Sequence, residues 1–192
     1  MKPFLLLLLA LPACAQNSDL GILLGISPSS VKDNVGSSGI SSNISGNFQI
    51  DYAIQVASNK AGAFYVELPL AIVAHVETNV GRDISSNVGG ILFFTPGVRW
   101  KMLVQSRVTF YASLGGGVAS FGTTKSVVGK GISTNISSSA GPALDVAGGI
   151  DFRLTRLLSL RGEVRDYVTR ANAGGFTGRN HAALDFGVGF HF

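Results

Sequence analysis

Hydrophobic and polar residues alternate along most of the chain, and the segment from Asn47 to Val56 shows the alternation best. A period of two places successive side chains on opposite faces of a strand, so this segment has one hydrophobic and one largely polar face. The hydrophobic face carries Phe48, Ile50, Tyr52, Ile54 and Val56. A soluble sandwich would turn that face to its core, whereas a membrane barrel would turn it to lipid and line its lumen with the polar face.

Eight segments follow this pattern, and each is near the roughly ten residues that a tilted strand needs to cross a bilayer. Their outward hydrophobic residues all have even numbers, so the residues expected to face the lumen have odd ones. The predicted strands run from Asp19 to Ile26, Asn47 to Val56, Phe64 to Val76, Leu92 to Lys101, Arg107 to Phe121, Ala143 to Leu154, Leu158 to Val168 and His181 to Phe192.

The connections between these segments alternate in length. The short ones are Ala57–Ala63, Met102–Ser106 and Thr155–Leu157, and the long ones are Ser27–Ser45, Glu77–Ile91, Gly122–Gly141 and Thr169–Asn180. Outer-membrane barrels have short periplasmic turns and long external loops, whereas a soluble sandwich has no reason to alternate so regularly. The predicted fold is therefore all-β, an eight-stranded antiparallel up-and-down transmembrane β-barrel.

A short motif recurs in three of the long connections. It reads Ile40-Ser41-Ser42-Asn43-Ile44, then Ile84-Ser85-Ser86-Asn87-Val88, then Ile132-Ser133-Thr134-Asn135-Ile136. Each copy precedes a strand, and its Ile and Val spacing continues the outward face of that strand. One hypothesis is that these strands extend above the membrane as hairpins. The alternative is that loops rich in Ser, Asn and Gly converge on similar composition.

The composition agrees with a chain that meets lipid. Charged residues are only 14% of the chain and the mean hydropathy is +0.35, whereas soluble domains carry about 25% charged residues. No run of about 18 apolar residues follows residue 11, so closed strands remain as the way to span a membrane. The net charge of +4 comes from scattered Lys and Arg, which argues against a nucleic-acid surface.

The first fifteen residues are predicted to be a signal peptide, and residues 16–192 the barrel. Lys2 supplies the positive region, Phe4–Leu11 the apolar region, and Ala13-Cys14-Ala15 a cleavage site. An alternative is a lipobox in which Cys14 is lipidated, a pattern that Pro12 fits poorly. With the signal removed, no cysteine remains for a disulfide.

The last predicted strand ends on an aromatic residue that follows alternate hydrophobic positions. Its outward row is Leu184, Phe186, Val188, Phe190 and Phe192. This row resembles the assembly signal by which outer-membrane barrels are recognised by the assembly machinery, here carried by Phe186, Val188, Phe190 and Phe192. Aromatic residues are also predicted to form girdles near the two membrane surfaces. These are Trp100, Phe152, Phe190 and Phe192 at the periplasmic end and Phe48 and Phe94 at the other.

Several motifs together resemble the outer-membrane protein β-barrel family, the small barrels similar to OmpX, opacity proteins and the OmpA membrane domain. The motifs are Thr95-Pro96-Gly97-Val98-Arg99, Tyr111-Ala112-Ser113-Leu114-Gly115-Gly116-Gly117, Leu160-Arg161-Gly162-Glu163-Val164-Arg165-Asp166-Tyr167 and the final Phe192. The resemblance covers the chain after the signal and implies an outer-membrane location in a Gram-negative bacterium. It implies little about activity, because the family is diverse.

Many charged residues are predicted to face the lumen. Asp151 should lie opposite Arg161 across a short turn, and Arg165 opposite Asp185 if that hairpin closes around Gly175. We favour a plug of paired charges over a narrow charged path for solutes, because unpaired buried charges are costly. The predicted lumen charges are Asp51, Glu67, Arg99, Asp145, Asp151, Arg153, Arg161, Glu163, Arg165 and Asp185.

The sequence offers no recognisable catalytic set. An esterase needs Ser, His and a carboxylate within reach of one another, and His75, His181 and His191 lack a serine at a suitable sequence spacing. We expect no catalytic, cofactor or metal site. The predicted function is a monomeric outer-membrane barrel in contact with lipid, with a structural or surface-interaction role and an unidentified ligand for its external loops. The alternatives are a passive pore for small solutes and a lipid-modifying enzyme.

Overall fold

The computed structural model describes residues 17–27, 40–80, 84–104, 106–128, 132–169 and 180–192. The predicted signal peptide, residues 1–15, lies outside these ranges. No helix among the described residues is long and apolar enough to cross a membrane. The strands in the described part are β1 (Ser18–Ile26), β2 (Ile40–Asn59), β3 (Gly62–Val80), β4 (Ile84–Phe94), β5 (Gly97–Met102), β6 (Val108–Val128), β7 (Ile132–Arg153), β8 (Leu158–Thr169) and β9 (Asn180–His191).

The strands form one closed antiparallel barrel. Neighbours in the chain pair with each other, β4 and β5 both lie between β3 and β6, and β9 pairs with β1 to close the sheet. Because β4 and β5 are two halves of one strand, the barrel has eight strands, and the predicted fold class is confirmed. Closure gives the first and last strands each other as partners, which removes a free sheet edge.

The strand formed by β4 and β5 is interrupted at Thr95-Pro96 without a change of register. Phe94 lies opposite Leu70, and three residues later Gly97 lies opposite Glu67. Proline has no N–H to donate to the ladder, but its carbonyl still accepts a bond of 3.0 Å from the Gly116 N–H. The interruption therefore marks a missing donor and leaves the path of the strand unchanged.

The predicted alternation between lumen and outer face is confirmed. Apart from Ser18 and Gly62 at strand ends, the buried strand residues in the described part all have odd numbers. The even-numbered residues form a hydrophobic outer surface on which Leu24 is 64% exposed and Phe186 is 63% exposed. A solvent-exposed surface this rich in large hydrophobic side chains is the surface that a lipid-facing barrel presents.

Five neighbouring strands continue well past the ends of the other three. Their far ends lie side by side in the sheet, because Ile40 pairs with Val80, Val80 with Ile84, Ile84 with Val128 and Val128 with Ile132. The three copies of the repeated motif thus begin at the same level of the sheet, and they belong to strands, as the extension hypothesis predicted. The predicted long loops at Glu77–Ile91 and Gly122–Gly141 were wrong in extent, since most of each is strand.

Candidate functional site

The lumen of the barrel is filled by ionisable side chains, and β8 contributes the densest row. Along β8 the residues Ser159, Arg161, Glu163, Arg165 and Tyr167 alternate with outward residues, and all five are buried. The period of two aims this row at the inner faces of the strands across the lumen. The charges of β8 therefore determine which partners the other strands must supply.

The layer nearest the short turns joins four charged residues, and we call it the lower layer. Arg161 makes two parallel contacts with Asp151, with Nε–Oδ1 at 2.6 Å and Nη2–Oδ2 at 3.0 Å. These two residues lie directly opposite in the β7–β8 pair, as the sequence predicted. The ammonium group of Lys101 bridges Asp151, at 2.9 Å, and Asp19 on β1. The lower layer therefore links β1, β5, β7 and β8.

The next layer centres on Asp51, which receives two guanidinium groups. Arg161 Nη1 lies 3.0 Å from its Oδ1, and Arg99 Nη2 lies 3.2 Å from its Oδ2. The ring of Tyr111 lies beside both guanidinium groups, with centroid distances of 4.6 Å to Arg99 and 5.3 Å to Arg161. A cation near an aromatic face is stabilised by the ring quadrupole, so Tyr111 helps to keep two like charges close.

A third layer gathers Arg165 among three carboxylates. Arg165 Nε lies 2.7 Å from Glu163 Oε1, Nη2 lies 3.2 Å from Glu67 Oε1, and Nη1 contacts Asp145. Glu67 is also bound by Arg99, with Nε–Oε2 at 2.6 Å. Arg99 therefore connects this layer to the one centred on Asp51.

The prediction that Arg165 lies opposite Asp185 is wrong. The β8–β9 register places Arg165 opposite Ala183, and Asp185 opposite Glu163. The residue that reaches Asp185 is Asn47, whose Nδ2 donates to both carboxylate oxygens at 2.8 and 2.9 Å. The long β8–β9 connection allowed a register two residues away from the one assumed.

Apolar side chains close the lumen above these layers. The rings of Phe93 and Tyr167 stack with centroids 4.0 Å apart and an angle of 11° between their planes. The Tyr167 hydroxyl donates to Gln49 Oε1 at 3.2 Å, which joins the apolar cluster to the polar layers below. The cluster consists of Ala71, Val73, Ile91, Phe93, Ala119, Phe121, Ala143 and Tyr167.

The charged layers exclude solvent. The side chains of Arg99, Asp51 and Glu67 are 0% exposed, as are those of Arg161 and Arg165. A water-filled passage would leave surface exposed on the charged groups beside it. Buried ions are tolerated because each has a partner of opposite charge at hydrogen-bonding distance.

A Ser–His–Asp arrangement lies beside the lower layer, and sequence reasoning missed it. His191 Nε2 lies 3.0 Å from Ser159 Oγ, and His191 Nδ1 contacts Asp19 Oδ1. The order of contacts is that of a serine-hydrolase triad. However, Ser159 is 0% exposed and its hydroxyl also lies 3.4 Å from the Gly189 carbonyl oxygen. A nucleophile needs access to its substrate, so this geometry holds three strands together and offers no attacking group.

The alternation of odd and even positions could have added two residues to the predicted lumen set. Asp19 and Lys101 have odd numbers and lie at the ends of predicted strands, yet they were not counted among the inward charges. Tyr111 and Tyr167 also face inward, and only the structure shows that they border the ion pairs. Within the described residues, no group of three His, Cys, Asp or Glu side chains could hold a metal ion.

Three of the predicted assembly residues, Phe186, Val188 and Phe190, lie on the outer face of β9, and Phe192 directly follows the strand. Phe186 is exposed and covers Gly162, while Val188 and Phe190 are half-buried against their neighbours. Phe190 lies opposite Leu158 on β8 and Leu20 on β1. This row is therefore part of the strand that closes the barrel.

Comparison with known proteins identifies the fold. No family model and no curated protein sequence matches the chain. Among solved structures, the chain is similar to the Neisserial surface protein NspA, with 14% identity, 92% of this chain and 97% of that chain covered, and a TM-score of 0.50. It is also similar to the attachment invasion locus protein Ail of Yersinia pestis, with 12% identity, 92% of this chain and 97% of that chain covered, and a TM-score of 0.52. A third similar structure is the outer-membrane protease OmpT of Escherichia coli, with 8% identity, 93% of this chain and 98% of that chain covered, and a TM-score of 0.60. The chain has the fold of outer-membrane β-barrels.

Proposed function

We propose that this protein is a non-conducting barrel of the outer membrane of a Gram-negative bacterium, with a structural or surface-interaction role. The observation that carries the proposal is the filled lumen, in which Arg99, Arg161 and Arg165 are paired and wholly buried. A narrow barrel whose interior is occupied by side chains leaves no space for solutes. The paired charges act as a structural plug, and a passive pore is the alternative that they disfavour.

The outer surface supports the membrane location. Hydrophobic side chains alternate around the barrel, and the rings of Phe64 and Trp100 stack 6.2 Å apart near the short-turn end. Aromatic residues at this level fit the boundary between lipid tails and headgroups. In this proposal the signal peptide, residues 1–15, directs export, and the assembly machinery recognises Phe186, Val188, Phe190 and Phe192 on the closing strand.

The extended strands support a role at the cell surface. The end of β1 pairs with Gly46 on β2, and β2 extends six residues further, to Ile40. The end of β8 pairs with Ala143 on β7, and β7 extends eleven residues further, to Ile132. With the short turns in the periplasm, this extension projects outward from the cell. Ail, which shares the fold, is named for attachment and invasion and has been solved with the heparin analogue sucrose octasulfate. Contact with an external ligand is accordingly the surface role to test.

Ion conductance in planar lipid bilayers tests the plug. The full chain, purified from an outer-membrane fraction and shown to be folded by heat-modifiable gel migration, should give no steady channel conductance. A porin reconstituted in the same bilayers serves as the positive control. Conductance comparable to that of the porin would overturn the plug, and a chain that remains soluble without detergent would overturn the membrane location.

A further inference from the structure

A basin opens at the short-turn end of the lumen, below the lower layer of ion pairs. Its volume is about 320 Å³, which lies at the small end of the range for small-molecule sites. The walls come from the beginning of β1, from β2 and β3, from the end of β7, from the turns that follow β5 and β7, and from the end of β9 with Phe192. The residues that bear on its chemistry are Asn17, Gln55, Tyr65, Arg153, Arg156 and His191.

The uncompensated side-chain charge in this basin is positive. Asp19, the acidic side chain of the lining, is already bound by Lys101 and His191. Arg153 and Arg156 have no carboxylate partner among the described residues, although every arginine of the inner layers has one. Two unpaired guanidinium groups in one concave site favour an anion, because guanidinium binds carboxylate and phosphate in a two-point geometry.

Neutral hydrogen-bond donors and apolar side chains complete the lining. The Tyr65 hydroxyl donates to Gln55 Oε1 at 3.1 Å, which leaves the amide nitrogen of Gln55 available as a donor. Val104, Leu157 and Phe192 supply apolar surface to the lining. A site with clustered donors beside apolar side chains suits a ligand that has an oxyanion at one end and carbon at the other.

We infer that this basin is a binding site for a small phosphate- or carboxylate-bearing ligand, held by Arg153 and Arg156. The site lies outside the ion-pair layers, so the lumen stays closed when it is occupied. The source of the ligand, either the periplasm or the inner leaflet, rests on the proposed function, in which the short turns face the periplasm. The oxyanion itself is recognised by chemistry that does not depend on that orientation.

Titration of the purified, folded chain in an uncharged detergent tests the site. Isothermal titration calorimetry with glycerol 3-phosphate at low salt should show saturable binding with one site per chain. The variant R153Q/R156Q should bind at least about tenfold more weakly, because hydrogen bonds between two charged groups are lost. The matched control is K60Q/R107Q, which removes two exposed charges from the neighbouring short turns and should bind within about twofold of the wild type, since screened surface charges contribute little.

The outcomes separate the explanations. Equal weakening in both double variants would assign the binding to general surface charge and overturn the site, and so would the absence of saturable binding. The same titration in nanodiscs of phosphatidylglycerol or of phosphatidylcholine distinguishes a lipid headgroup from a soluble anion. If the ligand is a headgroup, the difference in binding between the wild type and R153Q/R156Q should depend on whether the anionic lipid is present. If the ligand is a soluble anion, the difference should be the same in both lipids. The conductance test does not involve this basin, so either proposal can fail without the other.

Discussion

Arg161 on β8 and Asp151 on β7 lie directly opposite each other and are joined by two parallel contacts of 2.6 and 3.0 Å. Arg161 also binds Asp51 across the lumen at 3.0 Å, so one guanidinium group joins three strands. A buried ion pair gains little over a well-packed apolar pair, but a buried charge that loses its partner is strongly destabilising. We therefore expect the stability of the barrel to depend on the charged partners in this network.

Removal of Arg161 should destabilise the barrel severely. R161M leaves Asp51 and Asp151 short of a buried partner, and we expect a loss of about 3–5 kcal/mol in the free energy of unfolding. Urea unfolding in phospholipid vesicles, followed by heat-modifiable gel migration, measures it. R107M, which changes an exposed residue of a short turn, should be close to wild type. Equal stability of the two variants would contradict the proposed dependence on paired charges.

The stacked pair above the charges allows a comparison of neighbouring residues. Phe93 is 0% exposed and faces the lumen, whereas Phe94 is 42% exposed and faces outward. F93A should cost about 3–5 kcal/mol because it leaves a cavity beside Tyr167. F94A should cost much less, since lipid can fill the space. The same unfolding measurement applies, and a larger loss for F94A would reverse the assignment of the two faces.

Barrel closure should be sensitive to a single methyl group at Gly187. A Cβ at this position would lie 1.9 Å from the carbonyl oxygen of Ile22, across the β1–β9 seam. The backbone must move to admit it, so G187A should cost at least about 1–3 kcal/mol and reduce the folded fraction during refolding into vesicles. Gly141 has no atom within 4 Å of the corresponding position. G141A is therefore the control, and similar refolding of both variants would be inconsistent with a tight seam.

The Ser159–His191–Asp19 arrangement should be structural. A fluorophosphonate probe should not label the folded protein above the level of S159A, because Ser159 has no exposed surface. S159A should lower the stability of the barrel modestly, by about 1 kcal/mol, through loss of the bond to His191. Labelling that disappears in both S159A and H191A would instead establish a reactive serine and an enzymatic role.

Local pattern was sufficient for the architecture and for one ion pair. Alternation with period two assigns a residue to the lumen or to the outer face wherever the strand is, because the assignment depends only on the neighbouring residues. The partnership of Asp151 and Arg161 was also predictable, since a short turn leaves little choice of register between β7 and β8. The repeated motif suggested an extension of three strands but left convergent loop composition open, and the structure has strands that begin at Ile40, Ile84 and Ile132.

Tertiary structure decided what local pattern leaves open. Across the long β8–β9 connection, a register difference of two residues keeps the same face inward but changes the partner, so Asp185 binds Asn47 and Arg165 does not reach it. Contacts across the lumen, such as Arg165 with Glu67, 98 residues away, depend on how the whole sheet closes. The sequence by itself determined which side chains enter the lumen, because that choice is made one strand at a time. Only closure of the barrel decided which of them meet across the lumen, because the distance across the lumen depends on all the strands together.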